Sequence, residues 1–279
     1  MASPPPSSPL SSSTRKPLPA PRFLSSTASA APAQQPSSSP REETLPDPRI
    51  DEILDFWFSL PPRSWFGAPS AAFPTPASLD DAIKARFRDA VEVARAGRLD
   101  ETWTRTPRGT LALLLLLDQF PRNVYRGTGA AFASDAHAVS VAARGIARGF
   151  DEAFGASATV GEEETETGRS AAAEEKKKED VVVAGDHSSL IHRVFFYLPL
   201  SHAEDLVAQV AAAALSEKLL LACPETAPER PFLETSFGFF KRHRDAILRL
   251  GRFPARNAAL GRQSTDEEVA LLKENPQGL

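Results

Sequence analysis

The sequence predicts an all-α fold, a single domain of stacked antiparallel helical hairpins with about eight helices. Three observations predict it. Helix-start signals recur along the chain, while the alternation that marks strands is scarce. Apolar residues in the candidate segments fall at spacings of three and four. One corner phrase also occurs twice: Asp118-Gln119-Phe120-Pro121-Arg122-Asn123 closing with Arg126-Gly127, and Gly251-Arg252-Phe253-Pro254-Ala255-Arg256-Asn257 closing with Gly261-Arg262. Helix pairs joined by short, repeated corners stack as in an α-solenoid.

Each element has its own signal. Asp47-Pro48 is a cap followed by proline at the first helical position, and it opens a helix through Ile53, Leu54, Phe56, Trp57 and Phe58. Ser78 begins a Ser-x-x-Asp start for a second helix, in which Ile83, Phe87, Val91 and Ala94 share a face and Gly97 is the stop. Thr106-Pro107 repeats the cap-plus-proline start for a Leu-rich helix ending at Phe120, and Ser134 caps a helix running to Gly149. Ser188 or Ser189 opens a short helix through Phe195 and Phe196, after which Pro199 breaks the chain. Ser201-His202-Ala203-Glu204 reads as a capping box for a helix reaching about Leu221. A further helix spans Phe232 to Leu250 and is closed by Gly251; Ser264 and Thr265, each three residues before a glutamate, open the last one.

Two stretches lack the apolar side chains that offset the entropy of ordering. Residues 1–44 are mostly Ser, Pro and Ala, with no acid before Glu42 and with basic residues at Arg15, Lys16, Arg22 and Arg41. This is the composition of an organellar transit peptide, for chloroplast or mitochondrion, with Arg22-Phe23-Leu24-Ser25-Ser26 suited to a processing peptidase. An ordinary Pro/Ser tail on a cytoplasmic protein is the alternative, since ten prolines before residue 41 oppose an amphipathic helix. Residues 155–187, with Glu162-Glu163-Glu164 and the run Glu174 to Asp180, read as a disordered acidic insertion in the helical domain at 45–279.

The net charge of −4 lies mainly in that insertion. Setting aside 1–44 (four basic, two acidic) and 155–187 (four basic, nine acidic) leaves 24 basic against 25 acidic residues. The balanced remainder carries no basic stripe with interleaved aromatics, which argues against a nucleic-acid partner. Leu111 to Leu117 is far shorter than the ~18–20 apolar residues a bilayer needs, so no membrane partner is expected. The single cysteine, Cys223, excludes an internal disulfide and a cysteine-based zinc cluster, and reads as a small apolar residue in or after a helix. Five histidines without His-x-x-x-His spacing give no metal site, and no cofactor is indicated. Trp57, Phe58, Trp65, Phe66 and Trp103 read as core and loop anchors.

The corner phrase has a mechanical reading and a chemical one. Mechanically, Phe120 and Phe253 anchor a helix end, Pro121 and Pro254 deny the next turn its hydrogen bond, Asn123 and Asn257 tolerate turn conformations, and Gly127 and Gly261 supply permissive dihedrals. The arginines then cap helix ends or pair with Asp118 and other acids. Chemically, Arg122, Arg126, Arg252, Arg256 and Arg262 concentrate guanidinium forks in two corners, and facing corners would hold a phosphate or carboxylate. His202, with Glu204 or Asp118, is the candidate acid/base pair, and His202, Asp205 and Gln209 fall on one helical stripe. His243 is the other histidine in a periodic helix. On a structural reading His202 only satisfies backbone groups at its helix start.

Asp55-Phe56-Trp57-Phe58, Trp65-Phe66, Leu115 through Asn123 with Arg126-Gly127, Tyr197-Leu198-Pro199-Leu200 with His202 and Glu204, and Gly251 through Asn257 with Leu260-Gly261-Arg262 together resemble domain-of-unknown-function family 924. The likeness covers nearly all of 48–274 and implies a single all-helical domain similar to tetratricopeptide-like superhelices; it implies no established activity. The family usually has Met-His-Ser-Glu where this chain has Ser201-His202-Ala203-Glu204, and often His-Arg-Asn at 255–257, so a hydroxyl at 203 and an imidazole at 255 are missing here. The N-terminal extension lies outside the resemblance and fits an organelle-directed version of a mainly bacterial domain.

Two functions from different classes follow. In one, Arg122, Arg126, Arg252, Arg256 and Arg262 with His243 hold a small anion, Asn123 and Asn257 shape the loops, and His202 with Glu204 or Asp118 performs hydrolysis or group transfer. In the other, stacked hairpins bind a peptide along an exposed apolar groove. A closed pocket lined by the arginines and His202 favours the first, a groove along successive helices the second.

Overall fold

A computed structural model of the chain describes residues 47–66, 70–154 and 188–274. Residues 1–44, expected to be a transit peptide or a Pro/Ser tail, and residues 155–187, expected to be an acidic insertion, both lie outside the described residues. Those described are helical throughout, without a β-strand: α1 (Pro48–Phe58), α2 (Pro76–Arg95), α3 (Asp100–Trp103), α4 (Pro107–Leu114), a π-turn (Leu115–Gln119), α5 (Phe120–Val124), α6 (Asp135–Ala147), α7 (Ser188–His202), α8 (Leu206–Ala222), α9 (Arg230–Leu250) and α10 (Asp266–Glu274), with short 3-10 turns between some of them. The all-α expectation therefore holds.

Several starts fall where the capping chemistry places them. Asp47 accepts the Arg49 N–H at the head of α1, and Thr106 accepts the Gly109 N–H at the head of α4, each with proline in the first turn. The second helix begins earlier than expected. Thr75, not Ser78, is its N-cap, with Pro76 at N1; Ser78 closes a reciprocal capping box on Thr75. Thr265 and Glu268 form the expected box at the head of α10, Thr265 Oγ1 accepting from the Glu268 N–H at 3.2 Å and Glu268 from the Thr265 N–H at 2.8 Å.

The core packs from both ends of the chain onto the Leu-rich segment. Leu111 through Leu117 and Phe120 are buried in a segment contacted by α1, α2, α6 and α7, while α8 packs against both α7 and α9. The aromatics serve as anchors, as expected. Phe120 lies 5.4 Å from Trp57 and 5.0 Å from Phe87 between ring centroids, and Trp65 bonds the Trp57 carbonyl at 2.9 Å. Such aromatic pairs contribute about 0.5–1.5 kcal/mol each beyond their buried area. Cys223 is buried and caps the end of α8, and burial raises its thiol above the ordinary range.

Three local expectations need correction. The Leu-rich helix does not end at Phe120-Pro121. Pro121 has no N–H for the Leu117 carbonyl, and instead of stopping the helix widens into the π-turn; the Leu117 carbonyl accepts from Ser134 Oγ at 2.7 Å. Ser134 thus occupies the N-cap position of α6 but spends its hydroxyl elsewhere. The second copy differs: α9 stops at Gly251, which takes a left-handed conformation (φ 69°), and extended Phe253 leads into a 3-10 turn at Pro254–Arg256. The two phrases are alike in sequence but not in backbone. Finally, α7 does not break at Pro199 and no helix starts at Ser201. Fifteen residues run through the proline to His202, and Asp205 caps α8 by accepting the Ala208 N–H.

Candidate functional site

That last correction sets the position of His202. It closes α7, where helix carbonyls lack intrahelical partners. Gln209 Nε2 donates to the carbonyls of Ser201 and Ala203, each at 2.7 Å, and Arg256 donates to the carbonyl of His202 at 2.9 Å. Three consecutive carbonyls are thereby satisfied, and the helix end is pinned to α8 and to the second corner.

From this end the His202 ring meets Asp118, which the π-turn presents from the opposite side. Nδ1 lies 2.8 and 2.9 Å from the two Asp118 carboxylate oxygens. Asp118 is 1% exposed and also accepts from Gln119 Nε2 and pairs with Arg122 at 3.1 Å. Burial opposes its ionisation, but Arg122 and His202 outweigh that and hold the carboxyl well below its usual range. An ionised carboxylate only accepts, so Nδ1 carries the imidazole proton and Nε2 presents its lone pair. Burial pushes His202 below its ordinary value, Asp118 pulls it up, and Arg122 pushes it down again. Because Arg122 neutralises Asp118, burial prevails and the ring is neutral near pH 7.

A second carboxylate ties both corners together. Asp135, in the first turn of α6, pairs with Arg122 at 3.1 Å and with Arg256 at 2.9 Å. The Arg256 guanidinium also lies between two rings, 4.6 Å from the Phe132 centroid and 4.7 Å from that of Phe253. Around these groups is a cavity of about 360 Å³. Its polar lining is Arg122, Arg126, His202, His243 and Arg256; its apolar lining includes Phe132, Phe253, Pro254 and Leu272. The two corners meet at one pocket.

Of the remaining candidate residues, Asn123, Glu204, Arg252, Asn257 and Arg262 do not line the pocket. Glu204 accepts from both Arg262 terminal nitrogens, at 2.6 and 2.9 Å, and from the Phe253 N–H at 2.8 Å, so these two residues clamp the second corner to the α7–α8 turn. Arg252 forks onto Glu268 at 2.6 and 2.8 Å, and Asn257 bonds Glu268 and Ser264. Asn123 bonds Asp80 at 2.8 Å; Arg126, at the pocket mouth, forks onto the same carboxylate. Gly127 and Gly261 have φ of 80° and 65°, the left-handed region that the corner phrase anticipates. His243, on α9, stands 5.9 Å from His202 between ring centroids, with Nδ1 at 2.9 Å from Ser201 Oγ. Asp205 and Gln209 serve α8 and its carbonyl partners, not a face shared with His202. Asp135 and Phe132 escaped the sequence reading. The available signal was the charge balance, since a neutral domain with buried arginines needs a buried acid for each.

No helix among the described residues is long and apolar enough to cross a membrane, and no group of three or more His, Cys, Asp or Glu there could hold a metal ion. The family model described as bacterial protein of unknown function (DUF924) matches residues 53–276. The chain belongs to the DUF924 family. A solved structure of a protein of unknown function from Agrobacterium tumefaciens is similar to this DUF924 chain: 34% identical, TM-score 0.57, covering 81% of this chain and 98% of that one. No curated protein matches it. The DUF924 match takes in both corners, α7 and α9, so every residue lining the pocket falls within it.

The second corner rests on a buried acid, and this has a consequence in acid. Hydrogen bonds from Arg252 and from the Thr265 N–H hold Glu268 down to about 2, against an ordinary 4.5. A depressed folded-state value means that the unfolded chain takes up the proton first. The contribution to stability is complete above about pH 5, declines as pH falls through the window from 4.5, and is gone below about pH 2. Urea unfolding at about pH 6 and about pH 3 is expected to show a smaller acid loss in Glu268→Gln than in the wild type. Equal losses would remove Glu268 from the account.

Proposed function

We propose that the pocket binds a small organic anion, a carboxylate or a phosphate, and that the Asp118–His202 pair exchanges a proton with it in a hydrolysis or group transfer. The observation that carries the reading is the convergence of Arg122, Arg126 and Arg256, drawn from two corners distant in sequence, on one cavity with the His202 ring. Asp118 fixes the tautomer, so the proton is taken and returned at Nε2. Arg122 and Arg256 orient the anion, and the rings and Leu272 exclude water from its other side. Glu204, Arg262, Arg252, Asn257 and Asn123 are positioning residues that hold the loops.

The peptide-scaffold reading has one observation in its favour. Val207, Val210 and Leu221 on α8 are 77%, 53% and 78% exposed, and Leu248 on α9 is 65% exposed. None of these four lines the cavity on which the arginines and His202 converge, and that convergence is the more specific observation. The pocket therefore carries the proposal.

A thermal-shift panel of carboxylate and phosphate metabolites tests it. At ligand concentrations about 100-fold above Kd, binding stabilises by about 2.7 kcal/mol and raises the midpoint by several degrees. Arg256→Ala is expected to abolish the response. A flat panel, or an unchanged response in the variant, rejects the anion site.

A further inference from the structure

Resting on that reading, we infer that the pocket takes a monoanionic carboxylate with an apolar body, and that His202 takes up one proton as the ligand binds. The argument begins with charge. Each guanidinium that lines the pocket already has a carboxylate, Arg122 with Asp118, Arg256 with Asp135 and Arg126 with Asp80, and Arg262, outside the lining, has Glu204. Four cations face four anions, so the site has no spare positive charge to offer. An incoming anion in a cavity partly closed to water would leave one negative charge unbalanced, which is costly at low dielectric.

Two imidazoles face this cluster and can supply the missing charge. His202, at the end of α7, lines the cavity and has Nδ1 committed to Asp118, which leaves Nε2 as the nitrogen that can meet a ligand. His243, from α9, has Nδ1 against Ser201. The charged groups around His202 come from every element packed against it: Asp118 from the π-turn, Arg122 from α5, Asp135 from α6 and Arg256 from the second corner. Without ligand, burial and Arg122 keep that ring neutral. A bound carboxylate near Nε2 reverses the balance by adding an anion that Arg122 does not neutralise, and the ring protonates. One proton matches one charge. A phosphate dianion would remain over-charged by one, so the site discriminates against it. The lining of Phe132, Phe253, Pro254 and Leu272 calls for an apolar body behind the acid group.

Calorimetry with 3-phenylpropanoate and phenyl phosphate, in buffers of different ionisation enthalpy, tests this on the full chain. Expected are uptake of about one proton per 3-phenylpropanoate, an affinity about tenfold weaker for each unit of pH rise above neutrality, and phenyl phosphate at least about tenfold weaker. His202→Gln removes the uptake and flattens the pH slope. The wild-type uptake and slope decide the matter even if a variant does not fold. Binding without uptake, phenyl phosphate binding as tightly as the carboxylate, uptake retained in a folded His202→Gln, or failure of 3-phenylpropanoate to bind each overturns the inference. If other anions in the thermal-shift panel still bind and depend on Arg256, the underlying pocket reading survives that failure.

Discussion

Asp118→Ala is expected to lower the unfolding free energy by about 3–5 kcal/mol, the range for removing one partner of a buried charge pair. The carboxylate is 1% exposed and bonds His202, Gln119 and Arg122. Its loss leaves the Gln119 amide and the His202 Nδ1–H without an acceptor, and Arg122 with Asp135 as its remaining carboxylate. Asp118→Asn separates charge from shape. It keeps the volume and an acceptor oxygen for Nδ1, so it should cost less than the alanine change while still lowering the proton affinity of His202, since Asp118, more than Asp135, raises it. Urea denaturation measures both variants. A loss below about 1 kcal/mol in Asp118→Ala would mean that the carboxylate is solvated, and the site as described would be wrong.

Phe120→Ala is expected to be as damaging for a different reason, at about 3–5 kcal/mol. Its ring is fully buried and meets Trp57 and Phe87 at 5.4 and 5.0 Å, and Phe56 edge-on at 6.4 Å. These partners come from α1 and α2, so truncation opens a cavity between elements that cannot all move inward. Phe120 also begins α5 directly after the π-turn. The loosened turn should shift Asp118 away from His202, so the variant is expected to lose anion binding together with stability. Phe120→Leu, which fills more of the space, should recover most of both. Full recovery of stability without recovery of binding would show that the π-turn does not depend on this packing.

These two positions also show how far the residues alone could be read. The caps at Asp47, Thr106 and Thr265 and the stop at Gly251 were legible, because capping chemistry is local and each signal is complete within four residues. The break expected at Pro121 was not. A proline removes one donor, and the chain continues as a helix when another group satisfies the freed carbonyl; here that group is Ser134, seventeen residues away. Pro199 does not break the chain either: α7 runs through it, so His202 stands at the end of that helix and not at the start of another, and its ring reaches Asp118 across 84 residues of sequence.

For the site, repetition of the Phe-Pro-Arg phrase located the arginines but could not say which of them face a common space. Arg122 and Arg256 do, through Asp135, whereas Arg252 and Arg262 turn back to Glu268 and Glu204. All of these are arginines beside a proline corner. What separates them is the position of their acids, which is set by tertiary packing. The phrase is therefore a device for building loops first, and its two copies differ in backbone while contributing to one cavity.

The most direct test of that cavity is the NMR signal of the His202 ring carbon beside Nε2, followed in wild-type protein during addition of 3-phenylpropanoate and repeated in Arg256→Ala. The account predicts a neutral imidazole without ligand that titrates below the ordinary histidine value, moves toward the protonated shift on binding, and no longer responds in the variant. A His202 signal unmoved by every carboxylate and phosphate, or already protonated at neutral pH in the free protein, would contradict it.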